Sequence, residues 1–411
     1  MRSAVRLRDF CVALVVFAAA GVAVAEDVTT LPIGAAAPEL ALPGVDGKTY
    51  HLKDFADAEL LVVVFTCNHC PTAQAYEERI IQLHRDYSGK NVALVAISPN
   101  DPLAVRLDEL GYTDVGDSFE DMKLHAERRG FKFPYLYDGE TQRVSKAFGV
   151  LATPHVFLFD RQRKLRYNGR IDDSDIKPPA SHDARNAIGD LLAGREVRVP
   201  KTRVFGCSTK WADKRDSARA ALAKWEAEPV ELKKIDAAGV RKLAANETGV
   251  SKRGQAPDER VVPRTSEDVT GASPRFETGT GKFRLINLWS TTCVPCIAEL
   301  EELVTVHRMY RGRHFELVTI STDAADRSDA ALKLLKQNHV SCTNYIFDSD
   351  DLDTLAEALD PKWEGPLPYT VLIAPGGEIV RRWRDAADPA ELKSEIVDRL
   401  GRTYASRKPQ P

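Results

Sequence analysis

The chain has 411 residues, with 57 Lys and Arg against 60 Asp and Glu, so its formal net charge is −3. This near balance gives no sign of nucleic acid or an anionic membrane surface as a partner, because both attract strongly basic patches. The length suits two domains of ordinary size and a connecting segment. The seven cysteines are too few and too widely spaced for a disulfide-stapled scaffold.

Residues 1–25 have the pattern of a secretory signal peptide. Three arginines among the first eight residues precede an apolar run over residues 10–24, which ends in Ala23-Val24-Ala25. The alternative is an uncleaved anchor, but the run is shorter than the roughly 20 apolar residues that a membrane span needs. The sequence therefore predicts cleavage after Ala25 and a mature chain in the periplasm or outside the cell, with no stable membrane insertion.

The first folded unit is predicted over residues 31–194, where strands alternate with helices. A turn at residues 44–48 predicts a hairpin at its start. The remaining predicted elements, in chain order, are a strand at 60–65, a helix to about 87, a strand at 92–97, a helix at 118–129, strands at 135–138, 155–160 and 165–168, and a helix at 184–192.

The second unit, residues 281–404, repeats this order, which indicates an internal duplication. Its predicted elements are strands at 285–289, 315–320, 345–348, 369–373 and 379–383 and helices to about 310 and at 328–338, 351–359 and 390–400. Strands that alternate with helices predict an α/β fold, a central mixed sheet flanked by helices, in each unit.

Residues 195–280 are predicted to be a charged, partly helical linker. The stretches 211–227 and 231–245 have helical patterns, whereas 246–280 is rich in Gly, Ser, Thr, Pro and charge and is predicted to be mobile.

Two Cys-x-x-Cys motifs lie in matching surroundings, Cys67/Cys70 in the first unit and Cys293/Cys296 in the second. Each follows a short apolar strand and precedes a helix. We therefore expect the first sulfur of each pair to lie exposed at a helix N-terminus, which favours thiolate, the form that attacks disulfides. A structural zinc site would need four ligands together, and these pairs belong to separate units.

The chain resembles the thioredoxin-fold superfamily, because each unit also carries an X-Pro step before its last hairpin, Thr153-Pro154 and Leu367-Pro368. The first unit resembles redoxin/AhpC-TSA domains in residues 33–38 and 65–72. The second resembles TlpA/ResA-type reductants in residues 288–296. The resemblance implies two thioredoxin-like domains with cis Pro154 and Pro368 beside the sulfurs, shaping a partner groove.

The resemblance further implies an exported thiol–disulfide oxidoreductase. The first cysteine of each pair would attack a partner disulfide and the second would resolve the mixed disulfide. Its partners would be protein disulfides or dithiols of the cell envelope, with a membrane protein as a candidate electron donor. This chemistry requires no organic cofactor and no metal.

Neighbouring residues are expected to tune the two centres. His69 is predicted to lower the pKa of Cys67 and make the first centre more oxidising, as in the Cys-x-His-Cys motif of DsbA-like oxidants; otherwise it is a solvated loop residue. Glu299 is either a proton-transfer group or an acid favoured by the helix dipole. Asn287 stands where thioredoxins carry a buried Asp.

Two other functions stay open for the first unit. One is a thiol peroxidase with Cys70 as the peroxidatic residue, although Val63 and Cys67 occupy the positions of the peroxide-site Pro and Thr. The other is a copper or zinc module that uses Cys67, Cys70, His69 and His155.

Two further cysteines lie outside the motifs. Cys207 is a candidate third redox thiol that resolves the first unit or docks its partner, or else a spare cysteine. Cys342 is expected to be a packed small hydrophobe.

Overall fold

The structure, a computed structural model, describes residues 29–247 and 281–402. The predicted signal peptide and nearly all of the predicted mobile segment 246–280 lie outside the described residues. Within the described ranges, no helix is both long enough and apolar enough to cross a membrane.

The first unit is built as predicted, with a helix at 143–148 and a short strand at 152–153 that were not expected. Its elements are β1 Ala41–Pro43, β2 Thr49–His51, β3 Leu60–Phe65, α1 Pro71–Tyr87, β4 Val92–Ser98, α2 Phe119–Arg129, β5 Tyr135–Tyr137, α3 Arg143–Phe148, β6 Ala152–Thr153, β7 His155–Phe159, β8 Leu165–Gly169 and α4 Asp183–Leu192.

Its main sheet has the order β5-β4-β3-β7-β8, in which β4 lies parallel to both β3 and β5, and β7 lies antiparallel to β3 and β8. The central strand β3 is buried along its whole length. Its alternate residues therefore face two cores: Val62 and Val64 pack into one, and Val63 and Phe65 into the other. This double burial fixes the end of β3, and with it the position of the following dithiol.

The second unit repeats the arrangement with one extra edge strand. β9 Cys207–Ser208 and α5 Arg215–Glu226 precede it in the chain. The elements of the second unit are β10 Lys233–Ile235, α6 Ala237–Ala245, β11 Phe283–Trp289, α7 Val294–Tyr310, β12 Phe315–Ser321, α8 Ser328–Gln337, β13 Thr343–Phe347, α9 Leu352–Leu359, β14 Tyr369–Ile373, β15 Ile379–Trp383 and α10 Pro389–Leu400. Its sheet has the order β10-β13-β12-β11-β14-β15.

The described part of the predicted linker is folded into the two units. β9 pairs with β6 of the first unit, and β10 extends the sheet of the second. The helix predicted from residue 231 was therefore wrong at its start, because 233–235 are strand. Of these three residues only Ile235 is buried, so β10 offers no apolar alternation to read. Asn246, predicted to open the mobile segment, is buried and donates hydrogen bonds to the carbonyl oxygens of Lys282 and Ala374.

The two units contact each other through residues 107–114 of the first. The Tyr310 hydroxyl donates to the Thr113 carbonyl oxygen over 2.9 Å, and Arg313 Nη1 donates to the Gly111 carbonyl oxygen over 3.0 Å. The Arg313 guanidinium also lies 4.1 Å from the Tyr112 ring centroid. Asp114 forms an ion pair with Arg402 at the far end of the chain.

Each unit thus has a central mixed sheet with helices on its faces, and each carries its Cys-x-x-Cys motif where the central strand leads into the next helix. The peptide bonds before Pro154 and Pro368 are both cis. The predicted α/β fold class, two thioredoxin-like units, is confirmed.

Candidate active sites

The first dithiol lies at the end of β3, with Cys70 rather than Cys67 as the N-cap of helix α1. The Ala73 amide donates to Cys70 Sγ over 3.4 Å. The helix begins at Pro71 because proline fits the first helical position, where its missing N–H costs no hydrogen bond. The expectation that the first sulfur of this pair lies exposed at the helix N-terminus was therefore wrong: Cys67 and Cys70 are only 2% and 0% exposed.

Thr153, the residue before Pro154, contacts both sulfurs. Its hydroxyl lies 3.1 Å from Cys67 Sγ, and its carbonyl oxygen lies 3.5 Å from Cys70 Sγ. The X-Pro step thus closes over the dithiol, as the sequence resemblance implied.

His69 is buried and paired with Asp117. Its Nδ1 lies 2.5 Å from an Asp117 carboxylate oxygen. Asp117 also accepts hydrogen bonds from the backbone amides of Asn68 and His69 and from Asn100 Nδ2. Burial lowers the pKa of His69, but Asp117 outweighs it and raises that pKa above its usual value. Burial likewise opposes the charge of Asp117, yet His69 and the three other donors hold the carboxyl pKa low. Each of the two buried groups therefore favours the charged form of the other.

The tuning effect of His69 falls on Cys70, not on Cys67 as predicted. Burial raises the pKa of Cys67 well above its usual value. Burial opposes the thiolate of Cys70 as well, but hydrogen bonds from Cys207 and Cys67, the positive His69 and the Ala73 amide lower its pKa well below the usual value. The sulfur that caps the helix N-terminus is thus the one whose thiolate form is most favoured in this centre.

Cys207 joins this centre although it lies 137 residues along the chain from Cys70. Strand β9 pairs antiparallel with β6 and places Cys207 opposite Thr153. Its side chain packs on Cys67, Cys70 and Ala73. Its hydrogen bond to the Cys70 sulfur, together with burial, raises the pKa of the Cys207 thiol.

The second dithiol has the geometry that the sequence predicted. Cys293 is the N-cap of α7, and the Cys296 amide donates to Cys293 Sγ over 3.2 Å. Cys293 is half-buried, Cys296 is buried, and the two form a disulfide. Here the proline lies between the cysteines, so the helix begins at Val294 and the first sulfur caps it. Val294 is 76% exposed, which leaves Cys293 open to a partner.

Glu299 is the buried acid of the second centre. Its carboxylate accepts hydrogen bonds from Asn287 Nδ2 over 3.3 Å and from the Ala387 amide over 3.0 Å. Burial nevertheless raises the pKa of Glu299 above its usual value. It lies three residues after Cys296, on the same face of α7. Glu299 is thus a buried acid of raised pKa one helical turn from a buried cysteine.

His155 does not join the first dithiol as the metal hypothesis required. It packs against Phe157, with ring centroids 4.3 Å apart, and its Nδ1 accepts from the Leu151 amide. Burial lowers its pKa to about 3. The potential ligands that do meet are Cys67, His69 and Asp117, whose ligand atoms lie within 4.8 Å of one another. These groups are already paired, His69 with Asp117 and Cys67 with Thr153.

Sequence reasoning missed Asp117 and Asn100. Both lie in loops between elements, where an isolated polar residue gives no periodic signal.

Cys342 is half-buried and packs on the core beneath the second centre, and burial raises the pKa of its thiol.

Comparison with known proteins finds a matching family and several similar proteins. The AhpC/TSA family matches residues 33–168 and 255–382. The thiol–disulfide oxidoreductase ResA of Oceanobacillus iheyensis is 27% identical over 126 residues, 31% of this chain and 62% of that protein. ResA of Geobacillus thermodenitrificans is 25% identical over 153 residues, 36% of this chain and 76% of that protein. A hypothetical protein from Sinorhizobium meliloti has a crystal structure with 33% identity and a TM-score of 0.41, covering 45% of this chain and 97% of its own. The chain thus spans 62% of the length of the Oceanobacillus relative.

Proposed function

Because the chain belongs to the AhpC/TSA family, we propose that it is a thiol–disulfide oxidoreductase that exchanges dithiols and disulfides with partner proteins through two centres. The observation that carries the proposal is that each unit sets a cysteine pair at a helix N-terminus beside a cis X-Pro step. In that position a sulfur is stabilised as thiolate, and in the second unit a partner strand can add beside it.

The second centre is the one open to a protein disulfide. Cys293 attacks the partner sulfur, and the buried Cys296 then attacks Cys293 to release the reduced partner. The test is the reduction of insulin by the full chain with a dithiol as electron source, followed by the turbidity of the reduced product. Catalysis no faster than the dithiol alone would overturn the proposal.

The signal-peptide pattern supports a place in the cell envelope, a compartment in which protein disulfides form and persist. Partner proteins there would carry exposed disulfides or dithiols. Electrons would reach this chain from a donor dithiol, with a membrane protein as the candidate source.

Glu299→Gln is expected to change the pH profile of insulin reduction. Because the pKa of Glu299 is raised, the rate of the wild type should show an inflection at a pH above the usual pKa range of Glu. At that pH Glu299 changes from the acid, which can donate a proton to Cys296, to the carboxylate, which can accept one. Gln keeps the size and the acceptor oxygen for the Ala387 amide but does not titrate. The inflection should vanish, and a rate about 100-fold slower is expected at its high-pH side, the lower end of what proton transfer contributes.

Glu316→Gln serves as the control for Glu299→Gln. Glu316 pairs with Arg284 near the start of β11, at the opposite end of that strand from the dithiol. If the pH profile of Glu299→Gln superimposed on that of the wild type, Glu299 would have no role in proton transfer and would be only an acid favoured by the helix dipole.

A thiol peroxidase in the first unit is the second candidate, favoured by the Cys70 thiolate at a helix N-terminus. We expect negligible hydrogen-peroxide reduction, because Val63 points into the apolar core and Cys67 replaces the peroxide-site Thr. Peroxide consumption by the full chain with a dithiol should not exceed that of its Cys70→Ser variant. A rate comparable to thiol exchange, lost in Cys70→Ser, would instead establish the peroxidase.

A further inference from the structure

The chain that follows the first unit returns across its dithiol. Residues 207–208 form β9, which pairs antiparallel with β6 and sets Cys207 opposite Thr153. Thr153 is the residue whose hydroxyl and carbonyl oxygens contact the two dithiol sulfurs. β9 therefore holds the place that an extended partner polypeptide would take by adding a strand beside the X-Pro step.

Contacts on both sides of Cys207 fix the segment in this place. Gly206 has φ +141°, and a Cβ atom there would lie 2.1 Å from the Thr153 carbonyl oxygen, so only glycine allows the approach. The Lys210 amide donates to Asn100 Oδ1 over 2.9 Å, and the Asp101 amide donates to the Lys210 carbonyl oxygen over 2.9 Å. Asn100 also donates to Asp117, which ties the segment to the His69 pair.

The Cys207 thiol of this segment meets the two thiols of the first dithiol beneath it. Cys207 packs against both Cys67 and Cys70. Cys67 and Cys70 are 2% and 0% exposed, whereas Cys207 is part-exposed. A partner sulfur can therefore reach Cys207 while β9 stays in place, but it cannot reach the dithiol beneath.

We propose that Cys207 is the sulfur through which the buried first centre exchanges with partner proteins. The inference rests on the proposed function of the first dithiol and adds the cysteine that reacts directly with the partner protein. In the oxidised centre, Cys207 gives up its proton and attacks Cys70. The Cys67–Cys70 bond breaks, the Cys70–Cys207 bond forms, and Cys67 leaves as a thiolate and takes a proton. No oxidant is needed, because one disulfide replaces another.

A partner dithiol then completes the transfer. Its first thiolate attacks Cys207, the Cys70–Cys207 bond breaks, and Cys70 leaves as a thiolate. The second partner thiolate attacks the first partner sulfur and releases Cys207. The partner gains a disulfide, and the two electrons stay on Cys67 and Cys70 as thiols. The His69 charge and the helix N-terminus stabilise the leaving Cys70, which speeds this direction of exchange.

Disulfide mapping of the full chain tests the first step. In a parent chain with Cys293→Ser and Cys296→Ser, oxidation by glutathione disulfide should give Cys67–Cys70. In the same chain with Cys67→Ser added, it should give a Cys70–Cys207 disulfide, seen by mass spectrometry as a linked peptide, while Cys342 stays alkylatable. Free thiols at both Cys70 and Cys207 in that variant would overturn the inference.

Kinetics test the second step. With Cys207→Ser added to the parent, oxidation of a reduced two-cysteine peptide should slow by about tenfold or more, because its thiolate must reach a buried sulfur. Cys342→Ser should leave the rate unchanged. Gly206→Ala, which keeps Cys207 but displaces β9, should lose the Cys70–Cys207 link in the Cys67→Ser background.

The two proposals fail in different ways. If the parent forms neither disulfide, the first unit is not an oxidoreductase and both fail. If Cys67–Cys70 forms and Cys207→Ser oxidises the peptide at the parent rate, only the role of Cys207 is overturned.

Discussion

Cys293→Ser is expected to abolish insulin reduction by the full chain, with a loss of about 100-fold or more, because a serine hydroxyl is not ionised near neutral pH and cannot attack the disulfide. Cys293 is the half-exposed cap of α7, whereas the first dithiol is buried beneath β9. The reducing activity towards a large protein should therefore come almost entirely from the second centre.

Cys342→Ser is the matched control for this experiment. Cys342 lies in the same unit and packs near the second centre, yet its sulfur contacts Asn344 and is not in the dithiol. That variant should keep full activity. Full activity in Cys293→Ser, together with its loss in Cys67→Ser, would move the reducing role to the first unit.

His69→Ala is expected to lower the reduction potential of the first centre. The change removes the cation that stabilises the Cys70 thiolate and leaves the Asp117 anion nearby. A less stable reduced form is a weaker oxidant, and a tenfold change in the equilibrium constant corresponds to about 30 mV. We expect a fall of at least about that size, measured as free-thiol content in glutathione buffers with Cys293→Ser and Cys296→Ser present.

The pH dependence of this effect follows from the raised pKa of His69. Below that pKa the imidazole is charged and the full difference between wild type and variant should appear. As the pH rises through it, the imidazole loses its proton and the difference should shrink. The fold should survive, because three other donors still satisfy Asp117.

Two further variants make the measurement specific to the His69 charge. His69→Ala combined with Asp117→Asn removes both charges and should give a smaller fall. His125→Ala removes another buried imidazole, one paired with Glu77 and not with the thiols, and should leave the potential unchanged. A potential that does not respond to His69→Ala would show that the pair only holds the loop together.

The amino-acid sequence by itself determined the two units, their order of elements and their dithiols. Strand β3 could be predicted because its six consecutive residues are all apolar, the pattern of a strand that is buried on both faces of a sheet. The cis steps before Pro154 and Pro368 followed from resemblance. The cap of each helix is also a local property of the sequence, since Pro71 follows its cysteine pair whereas Pro295 lies inside the other.

Only the tertiary structure decided which sulfur is the thiolate and what lies against it. Asp117 reaches His69, and Cys207 reaches Cys70, from distant parts of the chain, because loops and an edge pairing bring them there. Such contacts leave no periodic pattern in the sequence. A pKa depends on burial and on every nearby charge and donor, and these are known only once the chain has folded around the group.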